Sequence, residues 1–497
     1  MRPDLTPLGA AVRDWRRRVG AEHVLTDPPI LARYGTAVCG QTRDVPAVVR
    51  PATAAQVRGV VAAARRHGVP LYPISRGRNW GLGSRLPVRD GTAVLDLSRL
   101  DAIREFDEDA HVVVVEPGVT QSALCAFLGA RAPWAHPNVT GSSTDSSVLG
   151  NLLDRGVGYL SPRMDDLVAL EAVLGNGRLL RTGHWGSPGL MGHRWPHGVG
   201  PSLNGLFTQS SLGVVTAAAV RVRPRPRRQY GVAVTVGAED GLRALIDGLR
   251  LLHVQETVRT VSHVFDTSRL RTSLNLDGGV WTAFLTAGGS PAVADACRAD
   301  IEAVLGPVGD VHIEELDPSA APAPPEPDPV LAARRGVFDL MLGRPTDKAV
   351  ELLLARSGEP YSPGRVDLSR AGTVFCVQAV PLAGEAACHA VTLARHLGAE
   401  HGFEPSVSLN AVSPHTMEFV VNVLFDRREP REAARARAYV TALHHALMAA
   451  GFAPYRLGVQ DMDVAARPGD AFWDTVADLK HALDPAGIVA PGRYTTV

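Results

Sequence analysis

Residues 73–84 read Pro-Ile-Ser-Arg-Gly-Arg-Asn-Trp-Gly-Leu-Gly-Ser, and this stretch decides the fold. It follows a segment with helical apolar spacing, Val57 to His67, for which Thr53 is the predicted N-cap, and a short apolar run typical of a strand. Its three glycines alternate with other residues, so the backbone can turn tightly and direct several N–H groups towards one point. A concave row of amides suits a pyrophosphate, and an ordinary surface turn is the alternative.

The loop differs from two common phosphate-binding patterns. No Lys-Ser/Thr pair follows its glycines, so it is not a Walker loop. Nor is it the Gly-x-Gly-x-x-Gly fingerprint that opens a helix in dinucleotide-binding folds. Its glycines alone therefore leave both alternatives open, and the rest of the chain decides between them.

Residues 73–84 resemble the flavin pyrophosphate loop of the vanillyl-alcohol oxidase / p-cresol methylhydroxylase (PCMH) flavoproteins. Eight further blocks resemble segments of the same family, in the same order. The blocks are Val-Glu-Pro-Gly-Val-Thr at 115–120, Leu-Gly-Asn at 149–151, Asp-Arg-Gly-Val-Gly-Tyr at 154–159, Val-Leu-Gly-Asn-Gly at 173–177, Asn-Gly-Leu-Phe-Thr-Gln-Ser at 204–210, Gly-Val-Val-Thr at 213–216, Tyr-Arg at 455–456 and Asp-Pro-Ala-Gly-Ile-Val-Ala-Pro-Gly-Arg at 484–493. The resemblance is strong from about 45 to 225 and from about 375 onwards, and thin across 230–370.

This resemblance implies an α+β fold. The PCMH-type FAD-binding domain has two α+β subdomains, and its cap domain is an antiparallel sheet covered by helices. Residues 1–225 are assigned to the first part of the FAD-binding domain, 226–454 to the substrate or cap domain, and 455–497 to the return into the FAD-binding domain. Residues 318–329, with six prolines, are interpreted as a linker or a flexible cap loop. Residues 171–181 are predicted to form a hairpin that turns at Asn176-Gly177.

Composition excludes several other classes of protein. The formal net charge is zero, and no basic stripe indicates a nucleic-acid partner. No apolar run reaches membrane-spanning length and no secretory signal is visible, so we expect a cytoplasmic protein without a membrane partner. The five widely spaced cysteines include no Cys-x-x-Cys, and His-Glu-x-x-His is absent, so no metal is predicted.

The resemblance also implies the site residues, with FAD as the cofactor. Arg456 and Arg493 match cations that stabilise the negative charge on the reduced flavin, and Tyr455 matches a tyrosine that binds the oxygen of phenols. These three residues are the catalytic candidates. The cofactor-binding candidates are Ser75, Arg76, Gly77, Arg78, Asn79, Trp80, Gly81, Leu82, Ser147, Gly150, Asn151, Gly156, Gly158, Val215, Arg456 and Arg493. The substrate-pocket candidates are Leu82, Arg85, Ser142 and Tyr455.

The chain departs from the family at three pocket positions. Leu82 stands where a second phenol-binding tyrosine is expected, and Ser142 aligns with the acid that is the base in vanillyl-alcohol oxidase. Arg85 replaces a small residue, which suggests an acidic or carbonyl group on the substrate, with a solvated loop charge as the alternative. Thr373 falls near the flavin-linking histidine of those oxidases, so non-covalent FAD is predicted. Tyr361 is the alternative, as a counterpart of the tyrosine that links the flavin in the methylhydroxylases.

The predicted function is an FAD-dependent oxidase or dehydrogenase of bacterial metabolism. It takes a hydride from an organic small molecule, phenolic or alcohol, to flavin N5, and oxygen or a soluble acceptor reoxidises the flavin. Two alternatives stay open at this point, because a fold does not fix a function. One is a relative that oxidises a sugar, amine or hydroxy acid, and the other is a flavin-binding scaffold without catalysis. A homodimer is a common arrangement in this family.

Overall fold

The computed structural model describes residues 6–185, 191–276, 279–318 and 326–497. Most of the Pro-rich segment 318–329, interpreted above as a linker or cap loop, lies outside the described residues. The α+β fold class is confirmed, since helices and three larger sheets alternate along the chain. The domain boundaries at 225 and 454 remain predictions.

The regular elements are numbered in chain order. The strands are β1 Val24–Leu25, β2 Val48–Val49, β3 Leu71–Ile74, β4 Ala93–Asp96, β5 Ile103–Asp107, β6 Val112–Val115, β7 Ala135–His136, β8 Leu167–Leu174, β9 Leu179–Arg181, β10 Gly213–Arg221, β11 Arg223–Pro224, β12 Arg228–Val236, β13 Ser262–Asp266, β14 Trp281–Gly289, β15 Asp310–Glu315, β16 Ala371–Pro381, β17 Ser406–Ala411, β18 Thr416–Asp426 and β19 Ala453–Arg456. The α-helices are α1 Pro7–Val19, α2 Pro28–Tyr34, α3 Ala54–His67, α4 Gln121–Arg131, α5 Val148–Leu153, α6 Gly241–Val254, α7 Thr267–Leu274, α8 Pro291–Leu305, α9 Pro329–Met341, α10 Lys348–Ala355, α11 Gly384–His401, α12 Pro430–Ala449, α13 Met462–Ala465 and α14 Ala471–Leu483.

The glycine loop leaves the carboxyl end of β3 in a four-stranded sheet of order β1-β2-β4-β3. In this sheet β2, β4 and β3 are parallel. Thr53 caps α3, the helix that leads into β3, by accepting a hydrogen bond from the Gln56 amide at 3.2 Å, as predicted. Gly68 ends the helix with φ +65°, a left-handed conformation that glycine adopts without strain.

The second sheet is antiparallel, with order β5-β6-β10-β8-β9. The predicted hairpin joins β8 and β9 at Asn176-Gly177, where Gly177 has φ +87°. Beside this sheet, α5 begins at Ser147, whose hydroxyl accepts a hydrogen bond from the Gly150 amide at 2.8 Å. This cap keeps the N-terminal end of α5 well formed where it meets the glycine loop.

The third sheet is antiparallel and has eight strands, in the order β15-β12-β14-β13-β17-β18-β16-β19. One face of its inner strands is apolar, with Val374, Cys376, Phe419 and Val421 in the main hydrophobic core beneath α11 and α12. The alternate residues face a cavity instead, because successive side chains of a strand point to opposite faces. This sheet therefore separates a packed core from a polar wall.

The C-terminal segment packs beside the glycine loop. The Leu71 amide donates to the Ile488 carbonyl, and the Ala490 amide donates to the Leu71 carbonyl, each at 2.7 Å. Lys480, which is 1 % exposed, donates to Asp484 Oδ2 and to the Ser211 carbonyl at 2.7 Å. A buried cation therefore anchors the returning segment.

His444 differs from the expectation that the sequence suggests. His444 and His445 lie on a helical segment, which favours a solvent-exposed pair, but His444 is fully buried. Its Nδ1 accepts a hydrogen bond from Gln378 Nε2 at 2.6 Å, and burial lowers its pKa to about 4. The difference arises because α12 packs on the sheet through the face that carries His444.

Asp461 gives the structure a measurable pH dependence. It is 3 % exposed, and burial, together with Asp463, raises its pKa to about 7. Because the folded state favours the protonated acid, stability falls as pH rises from about 4, the unfolded pKa, to about 7. We expect Asp461→Asn to raise the free energy of unfolding by about 2–4 kcal/mol at pH 8 and to have little effect at pH 4.

Thermal unfolding at both pH values, with total FAD held constant, checks this expectation. The exposed Asp478 offers a matched control, and Asp478→Asn should change stability by less than about 0.5 kcal/mol at either pH. Equal effects of Asp461→Asn at pH 4 and pH 8 would contradict the assignment.

Candidate active site

A single cavity of about 680 Å³ joins the glycine loop to the polar wall of the eight-stranded sheet. This is a size typical of cofactor and ligand sites. Most of the predicted site residues border it: Ser75, Arg76, Gly77, Arg78, Asn79, Trp80, Leu82, Ser142, Ser147, Gly150, Asn151, Gly156, Val215, Arg456 and Arg493. Residues from distant parts of the sequence therefore meet at one place.

The glycine loop forms an amide-rich cradle. The backbone N–H groups of residues 76–80 have no hydrogen-bond partner within the described ranges. Gly77 and Gly81 have φ +65° and +80°, which allows these amides to converge. A Cβ at Gly150 would lie 2.9 Å from Ser75 Oγ, so only glycine permits the loop and α5 to approach this closely. These features fit the pyrophosphate of FAD.

Two arginines of the loop share one carboxylate. Arg78 Nε donates to Asp145 Oδ2 at 2.7 Å, and Arg76 contacts the other oxygen of the same group. Asp145 lies in the segment before α5, so these ion pairs fix the loop to the second sheet. They also neutralise much of the positive charge beside the amide cradle.

Gly81 does not border the cavity but sets the position of the loop. A Cβ there would lie 2.2 Å from the Phe375 ring, and Gly81 has φ +80°. We expect Gly81→Ala to lower the free energy of unfolding by about 2–5 kcal/mol, through left-handed strain plus overpacking, and to weaken FAD retention. Thermal unfolding and the flavin absorbance that remains after gel filtration measure these two effects.

Gly91 provides the matched control for this substitution. Its φ is +74°, and a Cβ there would meet nothing within 4 Å. Gly91→Ala should therefore show the backbone strain alone, about 1–2 kcal/mol, with FAD retained. Equal losses in the two variants would mean that the contact with Phe375 has no role.

Asp154 connects the two predicted catalytic arginines. Its Oδ2 accepts from Arg456 Nε at 2.8 Å and from Asn79 Nδ2 at 3.0 Å, while Arg493 contacts Oδ1. Arg493 Nη1 also donates to the Tyr72 hydroxyl at 2.9 Å. Burial disfavours the carboxylate, but the two arginines outweigh burial and hold the pKa of Asp154 below its usual range. Asp154 thus holds both guanidinium groups in fixed positions.

The structure places three other predicted residues away from the cavity wall. Gly158 packs against Asn138, with a Cβ position only 2.0 Å from Asn138 Oδ1. The Arg85 guanidinium lies 3.3 Å from Asp367 and 5.0 Å from the centre of the Tyr34 ring, so its charge is satisfied inside the protein. Arg85 is therefore not in a position to contact a substrate group in the cavity.

Tyr455 is the third residue, and its side chain is not part of the wall. Its carbonyl accepts a hydrogen bond from Gln209 Nε2 at 2.9 Å, and burial raises the pKa of its phenol above the usual value. The neighbouring Arg456 borders the cavity, so the Tyr-Arg pair contributes its cation but not its phenol to the wall.

Ser142 and Thr373 border the cavity as hydroxyl groups without acid or base character. Ser142 Oγ donates to Ser146 Oγ at 2.9 Å and lies 2.9 Å from Thr140 Oγ1. Thr373 Oγ1 donates to Asn422 Oδ1 on β18. The Tyr361 hydroxyl, an alternative flavin link, lies 3.1 Å from Ser143 Oγ and is not part of the wall. Non-covalent binding of FAD therefore stays a prediction.

Sequence reasoning missed a hydrogen-bonded chain on the polar wall. Asn410 Nδ2 donates to Glu418 Oε2 at 2.8 Å, so Asn410 Oδ1 is the acceptor that faces His263 Nδ1, also at 2.8 Å. His263 therefore carries its proton on Nδ1, and burial lowers its pKa to about 4. Its Nε2 has no partner among the described residues and can accept a proton or a hydrogen bond. In the sequence, only the alternation of side chains along β13 and β17 indicates this series of hydrogen bonds.

Arg269 is a second residue that the sequence did not indicate. It lies in the first turn of α7, whose cap Asp266 accepts a hydrogen bond from the Arg269 amide at 2.7 Å. Its side chain borders the cavity near Tyr159, and Tyr159 stacks on His263 with ring centres 4.2 Å apart. Nothing local in residues 261–275 distinguishes Arg269 from the neighbouring Arg271.

Similarity to known proteins agrees with this geometry. A family model described as an FAD binding domain matches residues 45–183. The chain is 34% identical to the 1'-carboxy-chondrochloren decarboxylase of Chondromyces crocatus, over 98% of this chain and 97% of that protein. It is 26% identical to the 4-cresol dehydrogenase [hydroxylating] flavoprotein subunit of Pseudomonas putida, over 97% and 94% of the two chains. The chain belongs to the PCMH-type FAD-binding flavoprotein family.

The solved structures agree with the membership of this family. Substrate-bound p-cresol methylhydroxylase superposes with a TM-score of 0.87 at 25% identity, covering 98% of this chain and 96% of that one. A 4-ethylphenol oxidase from Gulosibacter chungangensis shares the fold, with the same TM-score at 22% identity. FAD is thus the cofactor, and the family is one of FAD-linked oxidoreductases.

Two features are absent from the described residues. These residues contain no group of three or more His, Cys, Asp or Glu side chains arranged to hold a metal ion. None of their helices combines the length and the apolar character that crossing a membrane requires.

Proposed function

We propose that this protein is an FAD-dependent oxidase or dehydrogenase that removes a hydride from an organic small molecule. The observation that carries the proposal is the continuous cavity, which places the amide cradle, the Arg456–Asp154–Arg493 cluster and the polar sheet wall around one space. FAD, when bound, supplies the hydride acceptor. Oxygen or a soluble acceptor would be the final oxidant.

Backbone and side-chain groups of this protein have three tasks in such a reaction. The amides of residues 76–80 bind the diphosphate, and Arg456 and Arg493 provide fixed positive charge where electrons accumulate. His263 Nε2, which has no partner among the described residues, accepts a hydrogen bond from the substrate and orients it for loss of the hydride. Leu82 and Ser142 supply no phenol donor or acid, so a simple para-alkylphenol is a poor candidate substrate.

A second candidate is oxidation that ends in loss of a carboxyl group. The relative from Chondromyces crocatus is named a decarboxylase, and its 34% identity extends over nearly the whole of both chains. In this candidate the substrate is an acid, and carbon dioxide is a product.

The first experiment is the visible spectrum of the purified protein, before and after acid precipitation. Flavin bands that move to the supernatant would support non-covalent FAD, whereas bands that stay with the pellet would contradict it. Anaerobic bleaching of the flavin by a panel of aromatic alcohols and acids then tests hydride removal. A protein that takes up no FAD, or whose flavin no organic substrate reduces, would argue against the function. The rate at which the reduced flavin recolours in air separates an oxidase from a dehydrogenase.

A further inference from the structure

Three polar groups at one end of the cavity have no hydrogen-bond partner among the described residues. They are the Tyr159 hydroxyl, His263 Nε2 and the Arg269 guanidinium, whose Nε is buried. Tyr159 and His263 are 8% and 5% exposed, so the protein encloses them on all sides but the cavity. Buried polar groups are nearly always hydrogen-bonded, and exceptions of this kind often mark a ligand site.

Arg269 differs in its charge balance from the other arginines that border this cavity. Arg76 and Arg78 pair with Asp145, and Arg456 and Arg493 pair with Asp154. Among the wall arginines that the structure describes, only Arg269 has no carboxylate within ion-pair distance.

The carboxylates of Asp266 and Glu418 attract Arg269 electrostatically but lie beyond ion-pair distance, and both accept hydrogen bonds from other groups. Asp266 Oδ1 accepts from the backbone amides of Arg269 and Val407, at 2.7 and 3.1 Å. Glu418 Oε2 accepts from Asn410. Burial lowers the pKa of Arg269, so the fold tolerates a partly desolvated cation at this position. An isolated buried charge is unfavourable unless an anion compensates for it.

We propose that Arg269 and Tyr159 form a binding subsite for a carboxylate group of the substrate. The guanidinium binds one or both carboxylate oxygens, and the phenol donates a further hydrogen bond. Nε2 of His263 accepts from a hydroxyl or N–H group of the same molecule. The substrate is accordingly an organic acid, and this deepens the function proposed above, on which it rests.

The cofactor phosphates do not explain the unpaired charge. Arg269 extends from α7, and the groups that influence its charge are Tyr159, Asp266 and Glu418. Glu418 also influences Arg456, so its carboxylate is near both arginines. The amide cradle at residues 76–80 joins the Asp154 cluster through Asn79, which contacts Arg456 directly. Among the described residues, no hydrogen bond or ion pair connects Arg269 to the cradle, so we assign Arg269 to the substrate part of the cavity.

Binding of two isosteric probes to the FAD-loaded protein tests this subsite. The probes are 3-phenylpropanoate and 3-phenylpropanamide, which differ in charge but hardly in shape, and binding is followed by calorimetry and by the flavin difference spectrum. We expect the acid to bind about 10- to 100-fold more tightly than the amide. Arg269→Gln should abolish this preference, and Tyr159→Phe should reduce it by roughly 2- to 10-fold.

Arg259→Gln is the matched control, since Arg259 is exposed and, within the described ranges, forms an ion pair only with Glu256 at the surface. It should leave the preference for the acid unchanged. Arg269→Gln should also leave the thermal midpoint unchanged or raise it, because it removes an uncompensated charge. A structural arginine would show the opposite shift.

Three results would overturn the proposal. The first is a wild-type protein that does not bind the acid more tightly than the amide. The second is an Arg269→Gln variant that keeps the preference. The third is an Arg269→Gln variant that loses FAD, which would assign Arg269 to the cofactor. A wild-type protein that takes up no FAD would contradict the proposed function rather than the subsite. The flavin spectrum recorded before the probes are added distinguishes these two failures.

Discussion

The Arg456→Met variant should hold FAD with a more negative reduction potential and should reduce it about 100- to 1000-fold more slowly. Arg456 stands in the wall with Asn79 and Asp154 as fixed partners, so its charge needs no reorganisation when negative charge develops nearby. A loss of about 1.4–3 kcal/mol in this stabilisation corresponds to a shift of roughly 30–60 mV for a two-electron couple. A spectroscopic titration against a reference dye measures the potential without any knowledge of the substrate.

Arg456→Lys is the control for this experiment. It keeps the positive charge but loses the two-nitrogen contact with Asp154, so most of the potential and only part of the rate should be retained. An Arg456→Met protein with an unchanged potential would mean that Arg456 acts only in holding Asp154. The predicted catalytic role would then pass to Arg493.

The Lys480→Met variant should be strongly destabilised. Lys480 and Asp484 are both about 1 % exposed, and removal of the cation leaves a buried carboxylate without its ion pair. Breaking a buried pair in this way lowers the free energy of unfolding by about 3–5 kcal/mol. Chemical denaturation at constant FAD concentration checks the value.

The chain offers a close comparison in Lys348, its other lysine. Lys348 is exposed, so Lys348→Met should change stability by less than about 0.5 kcal/mol. If Lys480→Met were equally mild, the hydrogen bonds that Asp484 accepts from the Ile488 and Val489 amides would be sufficient to hold the returning segment.

The sequence predicts the parts of this protein whose signals are local. A capped helix before a strand, a glycine loop and an Asn-Gly hairpin each depend on neighbouring residues, and each appears where it was expected. The blocks that resemble the family also identify most residues of the cofactor end of the cavity. Local chemistry and a shared backbone requirement for glycine make this end predictable.

The substrate end could not be predicted in the same way. Arg85 attracts attention because it lies within a recognisable loop, yet Asp367, 282 positions further along the chain, takes up its charge. Arg269 is inconspicuous in the sequence, and only the packing of α7 against β13 and β17 brings it to the cavity without a partner. Whether an arginine is neutralised depends on tertiary contacts, which one sequence does not reveal.

The pairing of Leu71 with Ile488 also sets a limit on when the holoprotein can form. The glycine loop follows directly after Leu71, but Arg493 and the segment that holds β3 are synthesised more than 400 residues later. At roughly 5–20 residues per second, this interval is about 20–80 s. A nascent chain therefore carries an incomplete cradle throughout this interval. The full set of contacts around the cofactor can form only after Arg493 has been synthesised.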